Sequence, residues 1–298
     1  METWCPLGRM NVDPERVARI YHRFALFALR RGGWPLPRST VEPLRDFANR
    51  ALGVGSAHLG VRESGESDVL RVLASAWAAR EVVTVIDVGA YAGDYASAVR
   101  SAFGDKASIH CFEPNPAMFA GLYERLSGDV LVTCHQVALG RESGSALLFL
   151  DHPGSPRGSL EEGSFRLTDR PIEARHTVEV QTLDEVAKHL ALTRIDLVKL
   201  DVEGFEIAVL EGAAELLAKQ SIDVVQFEFG EANLASRTYM RDFFHLLGSR
   251  YVFYRVSPRG LRRMTYRPKH ETFAGETNYL AVSGEMAHSL DPLTRGGS

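Results

Sequence analysis

Val82-Val83-Thr84-Val85-Ile86-Asp87-Val88-Gly89-Ala90-Tyr91-Ala92-Gly93-Asp94 is the stretch on which the fold turns. Its first five residues form a continuous β-branched run, the pattern of a strand covered on both faces. The run closes on Asp87, and the glycines at 89 and 93 then turn the chain toward a helical pattern. Comparable runs recur near 108–112, 130–137, 195–200 and 223–229, with helical stretches between most of them. Asn115-Pro116 starts one such helix as cap and first-turn proline. Thr182 with Glu185 spells a capping box for another. This alternation predicts an α/β fold with a doubly wound, mostly parallel sheet.

Two features depart from the alternation. Strand-like pieces at 145–150 and 176–181 flank a Gly/Ser/Pro-rich loop, 152–164. Residues 251–256 and 278–282 read as a pair joined by a long hairpin that closes a sheet edge. Ahead of the alternation, residues 1–80 read as a helical annex. A helix over 13–31 is followed by a Pro-rich connector, 34–43, and a second helix runs over 67–80. The annex suits a lid or a homodimer face. Residues 286–298 read as a flexible tail.

The 298 residues suggest one large domain with an annex, and 45% apolar and 24% charged residues are an ordinary globular balance. With 34 basic and 38 acidic side chains, the formal charge is -4, which does not favour a nucleic-acid partner. Three scattered cysteines are too few for a disulfide framework or a zinc site. No apolar run is long enough to span a membrane and no basic-then-apolar leader opens the chain. The expectation is a soluble, cytoplasmic protein without a membrane partner.

In open α/β sheets, ligands bind beyond the carboxyl ends of the strands. The first strand ends in a G-x-x-x-G loop, Gly89 to Gly93, and not in the G-x-G-x-x-G of dinucleotide sites. Asp87 and Asp94 flank that loop. They would repel a pyrophosphate and suit a ligand carrying an ammonium or sulfonium. The second strand ends Phe112-Glu113-Pro114, placing Glu113 to accept hydrogen bonds from a ribose diol. A glycine turn, an acidic wall and a ribose acid describe S-adenosylmethionine better than NAD. The fourth strand ends Lys199-Leu200-Asp201-Val202-Glu203-Gly204 and the fifth Gln226-Phe227-Glu228-Phe229. Asp201, Glu203 and Glu228 therefore reach one rim. Single acids after strands also serve as helix caps, but acids on two adjacent strand ends beside a glycine loop favour a site.

Val85-Ile86-Asp87-Val88-Gly89-Ala90, Phe112-Glu113-Pro114-Asn115-Pro116, Val137-Ala138-Leu139-Gly140, Gly158-Ser159-Leu160, Thr182-Leu183-Asp184 and Lys199-Leu200-Asp201-Val202-Glu203-Gly204 come in an order that resembles the FkbM family of S-adenosylmethionine-dependent, mostly O-directed methyltransferases. The resemblance covers about residues 80–285, which makes 81–285 the methyltransferase domain. It implies the class I (Rossmann-like) sheet of seven strands, the last antiparallel. It implies cofactor contacts from Asp87, Gly89, Ala90, Tyr91, Gly93, Asp94, Glu113 and Pro114. It also places Val137 and Ala138 beside the adenine, with Gln136 as a contact. The family commonly has two serines before the leucine at 160, and here Gly158 stands in the first place.

The reading is an O-methyltransferase acting on a hydroxyl of a small molecule: a sugar, a polyketide or another secondary metabolite. Asp201 is the first candidate to orient or deprotonate the acceptor, with Glu203 and Glu228 in support. Ser159 and two loop histidines, His152 and His270, are placed on the substrate side. An Mg²⁺-dependent sugar O-methyltransferase, with Asp201 and Glu228 as hard oxygen ligands, is the alternative and is not favoured. A non-catalytic nucleotide-binding protein on the same sheet is a further reading, opposed by the joint presence of both glycines, Glu113 and the Asp201/Glu203 pair. A nucleic-acid methyltransferase would want an Asn/Asp-Pro-Pro-aromatic element where Asp201-Val202-Glu203-Gly204 stands.

Overall fold

The computed structural model describes residues 38–51, 53–57, 60–155, 158–167, 171–258, 260–273 and 275–288, with Arg23 and Leu290. Apart from Arg23 the expected helix over 13–31 lies outside these residues, as does most of the tail. The chain divides into two compact units, Met1–Ala48 and Asn49–Ser298. Helix α1, Arg38–Ala51, takes in the end of the expected Pro-rich connector. Pro43 is accommodated inside it, where its missing N–H forfeits one helical hydrogen bond. Among the described residues no helix is long and apolar enough to cross a membrane.

The second unit opens with α2, Glu66–Ala76, and β1, Val83–Val88. Then come α3 (Asp94–Phe103), β2 (Ala107–Phe112), α4 (Pro116–Leu126), β3 (Val132–His135) and β4 (Ala138–Leu139). The middle of the chain forms β5 (Gly144–Leu150), β6 (Gly158–Ser159), α5 (Gly163–Leu167), β7 (Ala174–Gln181) and α6 (Leu183–His189). It continues through β8 (Ile195–Leu200), α7 (Glu206–Glu211), α8 (Ala214–Ala218), β9 (Ile222–Phe229), α9 (Ala232–Ala235) and α10 (Met240–Leu247). The last strands are β10 (Tyr251–Ser257), β11 (Gly260–Met264) and β12 (Thr277–Ser283).

Both helix-start signals are met in part or whole. Asn115 Oδ1 accepts the Ala117 N–H and Pro116 opens α4. Thr182 Oγ1 accepts the Glu185 N–H, but Glu185 does not return the bond to Thr182. Its carboxylate takes the Ser143 hydroxyl, and Ser143 Oγ takes the Thr182 N–H, so a serine completes the box.

The main sheet has eight strands in the order β11-β10-β12-β9-β8-β1-β2-β3. Strands β3, β2, β1, β8 and β9 are mutually parallel, and β12 runs antiparallel between β9 and β10. Without β11 this is a class I methyltransferase sheet of seven strands with the last in sequence antiparallel. Two expectations are corrected. The sheet has an eighth strand, and the 251–256/278–282 pair does not close the edge. The connection after Ser257 is so short that β11 folds straight back on β10, with Ser257 facing Gly260, and β11 takes the edge. The pieces expected at 145–150 and 176–181 are real but join β4 and β6 in a separate sheet, β4-β7-β5-β6.

Strand alternation gives the main sheet two apolar faces. Ile86, Val88, Val198, Leu200 and Phe227 pack with the side of α6, α7, α8 and α10. Val83, Val85, Leu197, Val224 and Leu280 pack with Val69, Leu70, Leu73 and Trp77 around α2, and with Tyr95, Ala96 and Val99 of α3. Leu290 joins this second core. Asp87 and Lys199 follow Val85 and Leu197 by two residues, so they extend the second face past its apolar part.

Candidate active site

The carboxyl ends of β1 and β8 meet at Gly89. The Asp201 N–H donates to the Val88 carbonyl at 3.0 Å. A Cβ on Gly89 would lie 1.8 Å from the Asp201 carbonyl oxygen, and its φ of 79° is left-handed, so only glycine fits. Tyr91 also takes a positive φ, 47°, and its N–H donates to Glu113 Oε2 at 3.0 Å. Glu113 Oε1 accepts the Asn115 N–H at 2.9 Å. One carboxylate thus ties the loop after β1 to the start of α4 and keeps a lone pair on each oxygen. Gly93 has another task than contact with a ligand. A Cβ there would strike Leu126 and Leu122 of α4 at 2.8 and 2.9 Å, so this glycine lets α3 and α4 close together.

Two cavities open beyond these strand ends. The smaller, about 220 Å³, is lined by Glu113, Pro114, Val137, Ala138, Leu160 and Phe205 among others. The larger, about 750 Å³, is lined by Glu66, Asp87, Lys199, Asp201 and Glu228, with Ala90 and Asp94. Gly89, Tyr91 and Asp201 line both, so the cavities adjoin at the end of β8.

The floor of the larger cavity is a buried charge cluster. Asp87, Lys199 and Gln226 stand side by side on β1, β8 and β9. Lys199 Nζ lies 3.1 Å from Asp201 Oδ2 and 4.0 Å from Glu228 Oε1. Burial alone would favour the neutral amine, but Asp201, Glu228, Glu66 and Asp87 outweigh it and push the Lys199 pKa up. Burial, with the Asp201 charge second, holds the Glu228 carboxyl well above the usual range. Burial also raises Glu66, against the pull of Lys199. Asp87 is 1% exposed and burial lifts it to about 7; its Oδ2 has no hydrogen-bond partner among the described residues. Asp201 is the most accessible of these acids, with its side chain 42% exposed. Burial raises Glu113 as well, against its two backbone hydrogen bonds.

The other expected residues divide. Asp94 lies on the rim of the larger cavity, where its carboxylate pairs with Arg125 at 2.7 Å. Glu203 lines the smaller cavity at the turn after β8, with a left-handed φ of 51°. Gln136 is exposed and lines neither cavity. Ser159 is buried behind the wall, where its Oγ donates to the Glu203 carbonyl at 3.0 Å; it shapes the turn and does not face either cavity. His152 is exposed and His270 accepts the Arg267 N–H in its own loop, and neither lines a cavity. Lys199 and Glu66 received no role from the sequence. Lys199 is hidden inside an apolar strand, and Glu66 precedes the expected helix start by one residue.

The Lys199 ammonium stands 3.1 Å from Asp201 and 4.0 Å from Glu228, so a hard cation held by these two carboxyl groups would compete with it for the same oxygens. Among the described residues no group of three or more His, Cys, Asp or Glu side chains is arranged to hold a metal ion.

The chain is similar to the hexuronic acid methyltransferase AglP of Haloferax volcanii, at 29% identity over 56% of this chain and 64% of AglP. It is similar to the 2-O-methyltransferase NoeI of Sinorhizobium fredii, at 30% identity over 38% of this chain and 51% of NoeI. The match therefore spans between half and two thirds of these relatives' lengths. Among solved structures, a methyltransferase FkbM from Methylobacillus flagellatus aligns over 67% of this chain and 44% of that one, at 13% identity and a TM-score of 0.43. The Methyltransferase FkbM domain matches residues 87–251, more than half of the sequence and the whole run from the Asp87 loop past the ends of β8 and β9, and the chain belongs to that family.

Proposed function

We propose that this protein transfers a methyl group from S-adenosylmethionine to a hydroxyl of a small acceptor, a sugar in the first instance and a polyketide or similar metabolite in the second. The observation that carries the reading is the position of Asp201: one residue lines both cavities, and its carboxylate is paired with a buried ammonium. The similarity to a hexuronic acid methyltransferase and to a 2-O-methyltransferase supports an oxygen acceptor of the sugar class.

The residues present fit the cofactor. Val137, Leu139, Leu160 and Phe205 supply apolar walls for a purine, and the free lone pairs of Glu113 suit a ribose diol. The unpartnered Oδ2 of Asp87 suits an ammonium. When bound, S-adenosylmethionine supplies a methyl group activated by a sulfonium.

The chain's own residues then have three tasks. Asp201 accepts the proton of the acceptor hydroxyl, and its exposure lets it pass that proton to solvent. Lys199 fixes the Asp201 carboxylate and neutralises part of the charge around it. Glu228, whose carboxyl burial biases toward the protonated form, lines the same cavity and orients the hydroxyl through a hydrogen bond.

The test is incubation with methyl-labelled S-adenosylmethionine and a panel of hexoses and hexuronic acids, with products read by mass spectrometry. An O-methylated sugar is expected. Protein that binds S-adenosylhomocysteine yet labels no hydroxyl compound would overturn the acceptor assignment. Failure to bind S-adenosylhomocysteine would overturn the cofactor assignment.

A further inference from the structure

The apolar stripe of α2 ends on a carboxyl group. Its buried residues are Glu66, Val69, Leu70 and Leu73, all on one face, and Trp77 continues the stripe. A leucine at 66 would complete that stripe without the cost of desolvating a carboxylate. Instead Glu66 is only 3% exposed and lines the larger cavity with Asp201 and Glu228. Its Oε2 accepts the Ser64 hydroxyl at 2.7 Å and its Oε1 accepts from Gln226 Nε2. Gln226 Oε1 in turn accepts the Tyr95 hydroxyl at 2.9 Å. The carboxyl plane is thereby fixed, with a second lone pair left on each oxygen.

The backbone enforces the placement. Gly65 caps α2 with a φ of 99°, and a Cβ there would meet the Ser257 carbonyl oxygen at 2.4 Å. The start of the helix is pressed against the end of β10 and delivers Glu66 to the sheet floor. Yet the residue stands ahead of the family-matched segment 87–251. A chain segment outside the family domain has contributed a hydrogen-bonding group to the larger cavity.

We propose that Glu66 is an acceptor-binding residue, holding a hydroxyl next to the one that is methylated, so that acceptor choice is set from outside the family domain. The proposal rests on the hydroxyl-acceptor reading above. Asp201 takes the reacting hydroxyl and Glu66 a neighbouring one, which favours a polyol ring over a lone alcohol.

The experiment compares wild-type protein with Glu66→Gln and Glu66→Ala on the sugar that wild type methylates best, and on that sugar's monodeoxy analogues. Glu66→Ala is expected to raise the acceptor KM about tenfold, the scale of one hydrogen bond to a carboxylate. Affinity for S-adenosylhomocysteine should stay within about twofold, against that tenfold shift. Glu66→Gln, which keeps the shape and one acceptor oxygen, should recover part of the loss. One deoxy analogue should be penalised in wild type and not further in Glu66→Ala. Unchanged KM in both variants, or losses that add for every deoxy position, would overturn the assignment. A loss of S-adenosylhomocysteine affinity in parallel would show a structural role instead. Wild-type protein that binds S-adenosylhomocysteine but methylates no sugar would refute the acceptor reading itself, and this assignment with it.

Discussion

Lys199 holds its ammonium 3.1 Å from Asp201 Oδ2 with only 4% of its side chain exposed, while the carboxylate it pairs with is 42% exposed. The pair thus has a buried half and an accessible half. The buried half sits in a cluster with Glu66, Asp87 and Glu228, all of which act on it electrostatically. Removing the ammonium would leave Asp201 unpaired and take a positive charge from among the buried carboxyl groups. Lys199→Met is expected to destabilise the fold by about 1–3 kcal/mol, between the exposed and the fully buried cases. Denaturant unfolding checks this, and a variant as stable as wild type would show the cluster to be neutral.

Asp201→Asn keeps the shape of the accessible half and removes its charge. Turnover is expected to fall about 10²-fold or more, the scale of general-base removal. Cofactor affinity should change much less, because the apolar slot and Glu113 are untouched. Near wild-type kcat with the true acceptor would move the proton-accepting role elsewhere.

Glu113 joins Tyr91 and Asn115 through their backbone N–H groups and also faces the smaller cavity. Glu113→Ala is expected to weaken S-adenosylhomocysteine binding by roughly 1.5–3 kcal/mol, the range for hydrogen bonds to a charged group. Calorimetry gives the number. The same variant should melt earlier, since two loop amides lose their acceptor.

The pKa of Asp87, lifted by burial to about 7, gives a pH dependence with a definite sign. Below that value the folded protein holds a proton there that the unfolded chain, with an ordinary aspartate, releases. Stability contributed by this group is therefore greatest at low pH and falls as pH rises from the usual carboxylate range through about 7. Binding of the ammonium of S-adenosylhomocysteine has the opposite dependence, because it needs the ionised form. Affinity should rise about tenfold from pH 6 to pH 8, as expected for one titrating group near neutrality. Asp87→Asn should flatten that profile; a profile unchanged in the variant would assign the titration to another group.

With Lys199 beside both Asp201 and Glu228, chelation should leave turnover intact. Activity measured after EDTA, with and without added Mg²⁺, decides it. Collapse on chelation and return with Mg²⁺ would mean that the ammonium moves aside for a metal.

The periodicity of the chain was enough for the sheet. The β-branched run at 82–86 and the apolar runs at 195–200 and 223–229, alternating with helical stretches, fit a parallel sheet buried on both faces, and the helix starts at Asn115 and Thr182 are local chemistry. The Gly89 loop, Glu113 and Asp201 were readable for the same reason: a residue that ends a strand is placed at the ligand edge by the topology alone. Lys199 and Glu66 were not readable. Lys199 lies inside an apolar strand, and its meaning depends on which carboxylates neighbouring strands set beside it. Glu66 belongs to a helix whose pattern reads only as packing, and it reaches the cavity because Gly65 fits against Ser257. Ser159, His152 and His270 show the reverse: their types suggested chemistry, and none of them lines either cavity. Local sequence sets which strand ends carry acids. Long-range contacts between distant segments set which of those acids share a proton, a cation or a cavity, because burial and Coulomb energy depend on distances that no single segment encodes.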